Sequence, residues 1–405
     1  MNKYKIVILV LFLLGSLNAQ MTWTRATINA GWSIRHGHTS VIFDNKIWVM
    51  GGYSVPVNKN DVWYSSNEVN WTQATANAGW SGRIGHTSVV FDNKMWVIGG
   101  HDGTNYLNDV WYSTDGVSWT QATTNAGWSV RSSHTSVVFD NKIWVMGGNA
   151  SNLRNDVWYS SNGVNWTQAT ANAQWSARFY HTSVIFDNKM WVIGGYAGSP
   201  RNDVWYSSDT GVTWTQATAN AGWSARYAHT SVVFNNKMWV MGGYSPNDVW
   251  YSTDGVNWTQ ATASAGWSAR HFHVSDVFDN KMWVMGGFDN TSRNDVWYST
   301  GLNGIADNRQ TFAANRFSLN AEPNPIKNQT AIHYSLPSEG NITLLIYDIS
   351  GKLVKTLVNE YKKPGDYTVS WNGKDEHKRT VAEGVYFYTL ETPKQNFTKK
   401  LVLMK

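Results

Sequence analysis

From residue 21 to residue 300 the chain runs in short bursts of alternating apolar and polar residues, punctuated by Asp-Asn, Asp-Gly, Asn-Gly and Gly-Gly. Alternation at period two is the mark of a strand with one buried face, and these dipeptides are tight-turn signals. No stretch carries a helical period. The clearest copy of the pattern is Arg83 to Trp119, RIGHTSVVFDNKMWVIGGHDGTNYLNDVWYSTDGVSW. It predicts four antiparallel strands: His-Thr-Ser-Val-Val-Phe (a), Lys-Met-Trp-Val (b), Asp-Val-Trp-Tyr-Ser (c), and a fourth (d) opening at the closing Trp.

The same unit occurs six times. Its Arg falls at Arg35, Arg83, Arg131, Arg178, Arg226 and Arg270, with spacings of 44 to 48 residues, and a Gly-Gly doublet follows strand b in each copy. A unit this small cannot bury its own apolar faces, so the copies must pack on one another. Four strands per unit at this period describe a propeller blade. Tryptophan fixes the count. Three kinds recur six times, at Trp32, Trp48 and Trp63 and their equivalents. The fourth, in strand d, occurs only at Trp71, Trp119, Trp166, Trp214 and Trp258. Thr22-Trp23-Thr24-Arg25-Ala26-Thr27 supplies the missing one. The prediction is an all-β chain: a six-bladed propeller over residues 20–301, closed by its own first strand, followed by a small immunoglobulin-like β-sandwich.

Composition adds the chain's surroundings. Met1 to Ala19 has Lys3 and Lys5, an apolar run from Ile6 to Leu14 and small residues near Ala19, which reads as a secretory signal peptide. That run is too short to span a bilayer, which needs about 20 residues, and no transmembrane segment is expected elsewhere. The protein is expected to be secreted or attached to the outer cell surface. There is no cysteine, which removes disulfides and thiolate chemistry. Residues 20–301 hold 17 Lys+Arg against 18 Asp+Glu, so nucleic acid is not an expected partner. No cofactor is called for.

The Gly-Gly doublets, the Asp-Val-Trp-Tyr that follows and the closing Trp resemble the kelch-repeat family, related in fold to galactose-oxidase-type propellers. The copper and tyrosine–cysteine chemistry of galactose oxidase is excluded for want of a cysteine. The resemblance implies partner binding through the d–a and b–c loops. Ser207-Ser208-Asp209-Thr210-Gly211-Val212-Thr213-Trp214 also resembles the Asp-box hairpin of sialidase-like propellers, a folding element rather than a site.

Within the repeats, variation gathers on one face: the two residues inside Arg-x-x-His and the b–c loop. A constant scaffold with variable loops is how binding surfaces are built. The candidates for a protein or carbohydrate ligand are Tyr53, His101, Asp102, Phe179, Tyr180, Tyr196, Tyr227, Tyr244, His271, Phe272 and Phe288. The sixfold Arg and His read as scaffold, because they recur once per blade. One departure suggests a metal: His36 and His271 on adjoining blades, with Asp276 where other copies have Val. No catalytic residue is assigned. Glu68 is the single glutamate of residues 20–301, so a paired-glutamate glycosidase is disfavoured. The alternative to a binding or adhesion module is a glycan-active propeller enzyme, sialidase-like or a sugar-acid epimerase.

Residues 302–318 read as a polar linker. Residues 319–405 follow with strand-like runs in which Ile332, Tyr334 and Leu336 alternate with polar residues. Pro323-Asn324-Pro325, Ile346-Tyr347-Asp348-Ile349-Ser350-Gly351-Lys352, Trp371-Asn372-Gly373-Lys374-Asp375, Gly384-Val385-Tyr386-Phe387-Tyr388 and the closing Lys399 to Lys405 resemble the carboxy-terminal sorting domain of the type IX secretion system. Lys378 and Glu383 depart from that pattern. The resemblance implies type IX machinery as a partner.

Overall fold

The computed structural model describes residues 21–302, 318–327, 329–336, 339–393 and 396–404. The signal-peptide segment 1–19 and almost all of the linker 302–318 lie outside them. The chain divides into two units, Met1–Ile305 and Ala306–Lys405. The described residues are all-β.

In the first unit, five four-stranded antiparallel sheets follow one another in chain order. Blade 1 consists of Thr39–Phe43, Lys46–Met50, Val62–Ser65 and Thr72–Thr75, which are its strands a to d. The inner strands a stand beside one another around the ring, and Thr39–Phe43 packs beside Val274–Phe278 of the last sheet. That last sheet, blade 6, takes its outer strand from the start of the chain: Thr24–Thr27 pairs antiparallel with Ser292–Ser299, placing Thr24 opposite Tyr298 and Arg25 opposite Trp297. The closure predicted from the tryptophan count is present.

Local chemistry explains the blades. The Asp-Asn between strands a and b has both residues left-handed, with φ of 49° and 53° at Asp44 and Asn45. This turn matches the natural twist of a hairpin. Each strand b tryptophan then reaches back over the turn, Trp48 Nε1 donating to the Phe43 carbonyl at 2.9 Å. Between strands b and c the Gly-Gly doublet has positive φ and no room for a side chain. A Cβ on Gly51 would lie 2.8 Å from His86 Cε1, and one on Gly52 would lie 2.7 Å from His38 Cβ. Only glycine allows the neighbouring blade to come this close at Gly51, and the start of the same blade's strand a at Gly52.

Between blades the tryptophans meet edge to face. Trp32 and Trp71 have centroids 5.9 Å apart at 89°. The sixth such pair is Trp267 with Trp23, at 5.8 Å and 85°. Trp32, Trp80, Trp128, Trp175, Trp223 and Trp267 are all buried. Aromatic pairs of this geometry contribute ~0.5–1.5 kcal/mol beyond area burial.

The second unit has a three-stranded sheet (Ser318–Glu322, Thr330–Leu336, Gly365–Trp371) and a four-stranded one ordered Leu353–Lys362, Gly340–Asp348, Gly384–Glu391, Asn396–Leu403. Ile332, Tyr334 and Leu336 face its core, as their alternation predicts, and pack with Leu344, Ile346 and Trp371. Trp371 satisfies its indole N–H on the Lys374 carbonyl at 3.0 Å.

Candidate functional site

The repeated polar residues complete one another inside each blade. Arg35 donates to both oxygens of Asp61, at 2.7 and 2.8 Å, and to the Gly51 carbonyl at 2.9 Å. Its guanidinium lies 5.7 Å from the Trp32 ring. Trp63 Nε1 also donates to Asp61 Oδ2, at 2.8 Å. The same bidentate pair recurs as Arg83–Asp109, Arg131–Asp156, Arg178–Asp203, Arg226–Asp248 and Arg270–Asp295. Burial alone would raise the Asp61 carboxyl, but the Arg35 bonds and charge hold it below the usual range. With its donors and acceptors this occupied, the set is scaffold.

The repeated histidines link neighbouring blades. His86 Nε2 pairs with Thr39 Oγ1 at 3.0 Å, and His134, His181, His229 and His273 pair likewise with Thr87, Thr135, Thr182 and Thr230. The sixth partner would be residue 274, and there the repeat has Val274. Both ring nitrogens of His38 are therefore buried without a hydrogen-bond partner. Burial, then the neighbouring arginine charge, holds all six imidazoles far below their ordinary value, to about 3 at His86, His181 and His273.

A second irregularity shares this seam between blades 6 and 1. Asp276 occupies a position filled by Val in the other blades. Burial raises its carboxyl to about 6, a hydrogen bond from Ser40 offsetting part of the effect, and Oδ2 has no partner. Glu68, enclosed near Lys281 and Asp279, is also raised by burial. Asp276 is thus not on the variable face. The predicted metal set of His36, His271 and Asp276 is corrected accordingly: no group of three His, Cys, Asp or Glu able to hold a metal occurs among the described residues. His36 Nδ1 instead pairs with Ser292 Oγ at 2.9 Å.

At the variable face, the two residues inside Arg-x-x-His do different things. The second is left-handed in every blade: Gly37, Gly85, Ser133, Tyr180, Ala228 and Phe272 have φ between 54° and 64°. Their peptides form a closed circuit of backbone hydrogen bonds, Gly37 N–H to the Phe272 carbonyl, Phe272 to Ala228, Ala228 to Tyr180, Tyr180 to Ser133, Ser133 to Gly85, Gly85 to Gly37, at 2.7–3.3 Å. This circuit rims the central channel. Gly37 and Gly85 hinted at it in the sequence, but Tyr180 and Phe272 hid it, because bulky residues rarely adopt this conformation. Tyr180 and Phe272 meet across Ala228 with ring centroids 4.7 Å apart.

The first variable residue pairs, backbone to backbone, with the residue just after Gly-Gly in the same blade. His36 exchanges bonds with Tyr53, Phe179 with Tyr196 and His271 with Phe288, and Tyr244 donates to Tyr227. In blades 4, 5, 6 and 1 both members are aromatic. In blades 2 and 3 they are Ile84 with His101 and Ser132 with Asn149. The result is a continuous aromatic crescent over four blades. Phe179 touches Tyr180 and Tyr196, Tyr196 touches Tyr227, and Tyr227 stacks on Tyr244 at 5.2 Å and 13°. Tyr244 reaches His271, His271 reaches Phe288, and His36 joins Phe288 to Tyr53. Nine of the eleven predicted ligand residues lie in it. His36, assigned to a metal from sequence, is its tenth member. Burial, and for His36 the neighbouring His271, lowers both imidazoles, which favours their uncharged form.

His101 and Asp102 lie apart from the crescent. They border a cleft of about 780 Å³ between the loops of blades 1 and 2, which adjoins the end of the crescent at Tyr53.

The kelch family model described as the KLHDC2/KLHL20/DRC7 Kelch-repeats domain matches residues 10–195 and 133–300. The model of the FlgD Ig-like domain matches residues 327–396. No curated protein matches the chain.

Proposed function

The chain belongs to the kelch-repeat family, and from that premise we propose that its propeller is a protein-binding module whose recognition surface is the aromatic crescent. The observation that carries this reading is the continuity of the crescent across blades 4, 5, 6 and 1 while the Arg–Asp scaffold beneath it stays constant. Aromatic side chains dominate interface energies because they desolvate much area with little rotamer entropy. Tyr244, 55% exposed and stacked on Tyr227, offers a free ring face. An enzyme reading draws less support. Asp276 and Glu68, two carboxyls that break the repeat, are enclosed between blades 6 and 1 rather than presented to a ligand.

Selection of displayed peptides on the immobilised full-length protein tests this. Tyr227→Ala with Tyr244→Ala is expected to weaken the selected peptides by about 30-fold or more, the scale of an interface hot spot. Lys142→Ala, on the opposite face, is expected to leave them unchanged. Selected peptides indifferent to the tyrosines would exclude the crescent as the surface.

The proposal extends to export. The leader pattern of residues 1–19 supports passage out of the cytoplasm, and the second unit's resemblance to type IX sorting domains supports delivery to the surface or medium as a secreted adhesion or binding protein. Removing residues 396–405 takes away the strand Asn396–Leu403 at the edge of the four-stranded sheet. The truncated protein is expected to accumulate in the periplasm. Surface delivery equal to the parent's would remove the sorting role.

A further inference from the structure

The cleft between blades 1 and 2 is built by departures from the repeat. The b–c loop of blade 1 folds into a small hairpin, Tyr53–Ser54 paired with Val57–Asn58. This hairpin leans onto blade 2, where Asn58 Nδ2 donates to the His101 carbonyl at 3.4 Å. The approach requires Gly82. A Cβ there would lie 2.3 Å from the Asn58 carbonyl oxygen, and the other copies have Ile34, Val130, Ala177, Ala225 and Ala269 at this position.

Its two sides differ in chemistry. The blade 1 side is apolar, formed by Tyr53, Pro56 and Val57. The blade 2 side carries Ile84 and Asp102, the single charged side chain bordering the cleft. Asp102 Oδ1 accepts the backbone N–H of Thr104 at 2.8 Å and of Asn105 at 2.7 Å. These bonds outweigh burial and keep the carboxyl ionised, below its usual range. Together with a hydrogen bond from the Asn105 side chain, they also fix its position. A fixed carboxylate facing an apolar wall complements a cation on an apolar stem. Tyr53 adds a ring face for the same cation.

We infer that this cleft anchors a lysine or arginine side chain of an extended segment of a partner protein. The inference rests on the reading of this face as the recognition surface. Tyr53 belongs to both features and touches His36, so a segment lying along the crescent brings its end to the cleft.

The test uses the full-length protein and immobilised peptides identical except at one position, which carries arginine, lysine, norleucine or glutamate. Arginine and lysine are expected to be retained about tenfold better than norleucine, the scale of one charge-assisted hydrogen bond, with glutamate weakest. Asp102→Asn keeps an oxygen for the Thr104 and Asn105 N–H groups, so the loop holds, and it is expected to abolish the preference. Gly82→Ala, which displaces the hairpin, is expected to do the same. No preference for the cationic peptides, or a preference that survives Asp102→Asn, overturns the inference. So does Asp102-dependent retention of a neutral glycan in place of the peptides. The two readings separate cleanly. Loss of peptides in Tyr227→Ala/Tyr244→Ala without charge preference keeps the crescent and removes the cleft. An Asp102-dependent preference indifferent to those tyrosines keeps the cleft and removes the crescent.

Discussion

Acidification below about pH 6.5 is expected to unfold the propeller well before its carboxylates would protonate on their own. Six histidines are buried as neutral rings. Their folded values are depressed, to about 3 at His86, His181 and His273 and in the same direction at His38, His134 and His229. In the unfolded chain they titrate near 6.5. A depressed folded value means that the unfolded chain binds the extra protons, so stability is full above about pH 6.5 and falls as pH drops toward the folded values. The loss is ~1.4 kcal/mol per pH unit for each histidine, about 8 for six. Net domain stabilities are ~5–15 kcal/mol, so the midpoint should fall within about two units of pH 6.5. Asp61, Asp156 and Asp203 are also depressed, but their contribution is lost only below the unfolded aspartate value near 3.9.

Asp276 works in the opposite sense. Its folded value is raised to about 6, so the folded state takes up a proton first and regains stability as pH falls from about 6 toward 4. Asp276→Val should therefore raise stability at neutral pH by ~1–3 kcal/mol, the cost of an unpartnered buried polar group, and steepen the acid limb. Tryptophan fluorescence followed against pH reads the transition, and chemical denaturation at stepped pH gives the slope. His181→Gln should lower that slope by one proton. A fold that stays intact down to pH 4 would rule out this account of the histidines.

The sequence shows the scaffold plainly and the site only in part, for a physical reason. Repetition makes the ring legible, because Trp23 is needed to complete a set of six and only a closed ring gives it a place. The crescent residues stood out by variability, yet their grouping did not. Which aromatics touch depends on the pairing of His36 with Tyr53 and its equivalents, a contact across sixteen or more residues that no local pattern encodes. The left-handed rim is hidden wherever a residue with a Cβ occupies it. Asp276 was visible as a departure, but its position in strand a left open whether it faced solvent, the channel or the next blade. The packing of blade 6 on blade 1 decided that. His38 could have been flagged from Val274 alone, had the Thr–His link between blades been apparent from spacing.

Deleting residues 21–28 is expected to have the largest effect of any change short of core disruption. The segment supplies the fourth strand of blade 6, paired along Ser292–Ser299, and the neighbouring Ala30 N–H bonds the Asn294 carbonyl at 2.9 Å. Trp23 completes the sixth edge-to-face pair with Trp267 and packs against a cluster that includes Met21, Phe234 and Trp239. Without it, the Ser292–Ser299 strand becomes an open edge with Trp297 and Tyr298 uncovered, a template for association with other chains. Trp23→Ala alone should cost ~3 kcal/mol, at the lower end for a large aromatic because Trp23 is only partly buried. The internal comparison is Trp71→Ala, which removes the equivalent member of the Trp32 pair. If the first strand is an integral part of the ring, the two substitutions should destabilise equally in denaturant titrations, within about 1 kcal/mol. A Trp23 variant as stable as the parent, beside a destabilised Trp71 variant, would mean the ring holds without its closing strand. The deletion adds a second reading. A synthetic peptide covering residues 21–29, added in excess, should restore stability to the truncated chain, since it binds only the folded ring and shifts the equilibrium by mass action.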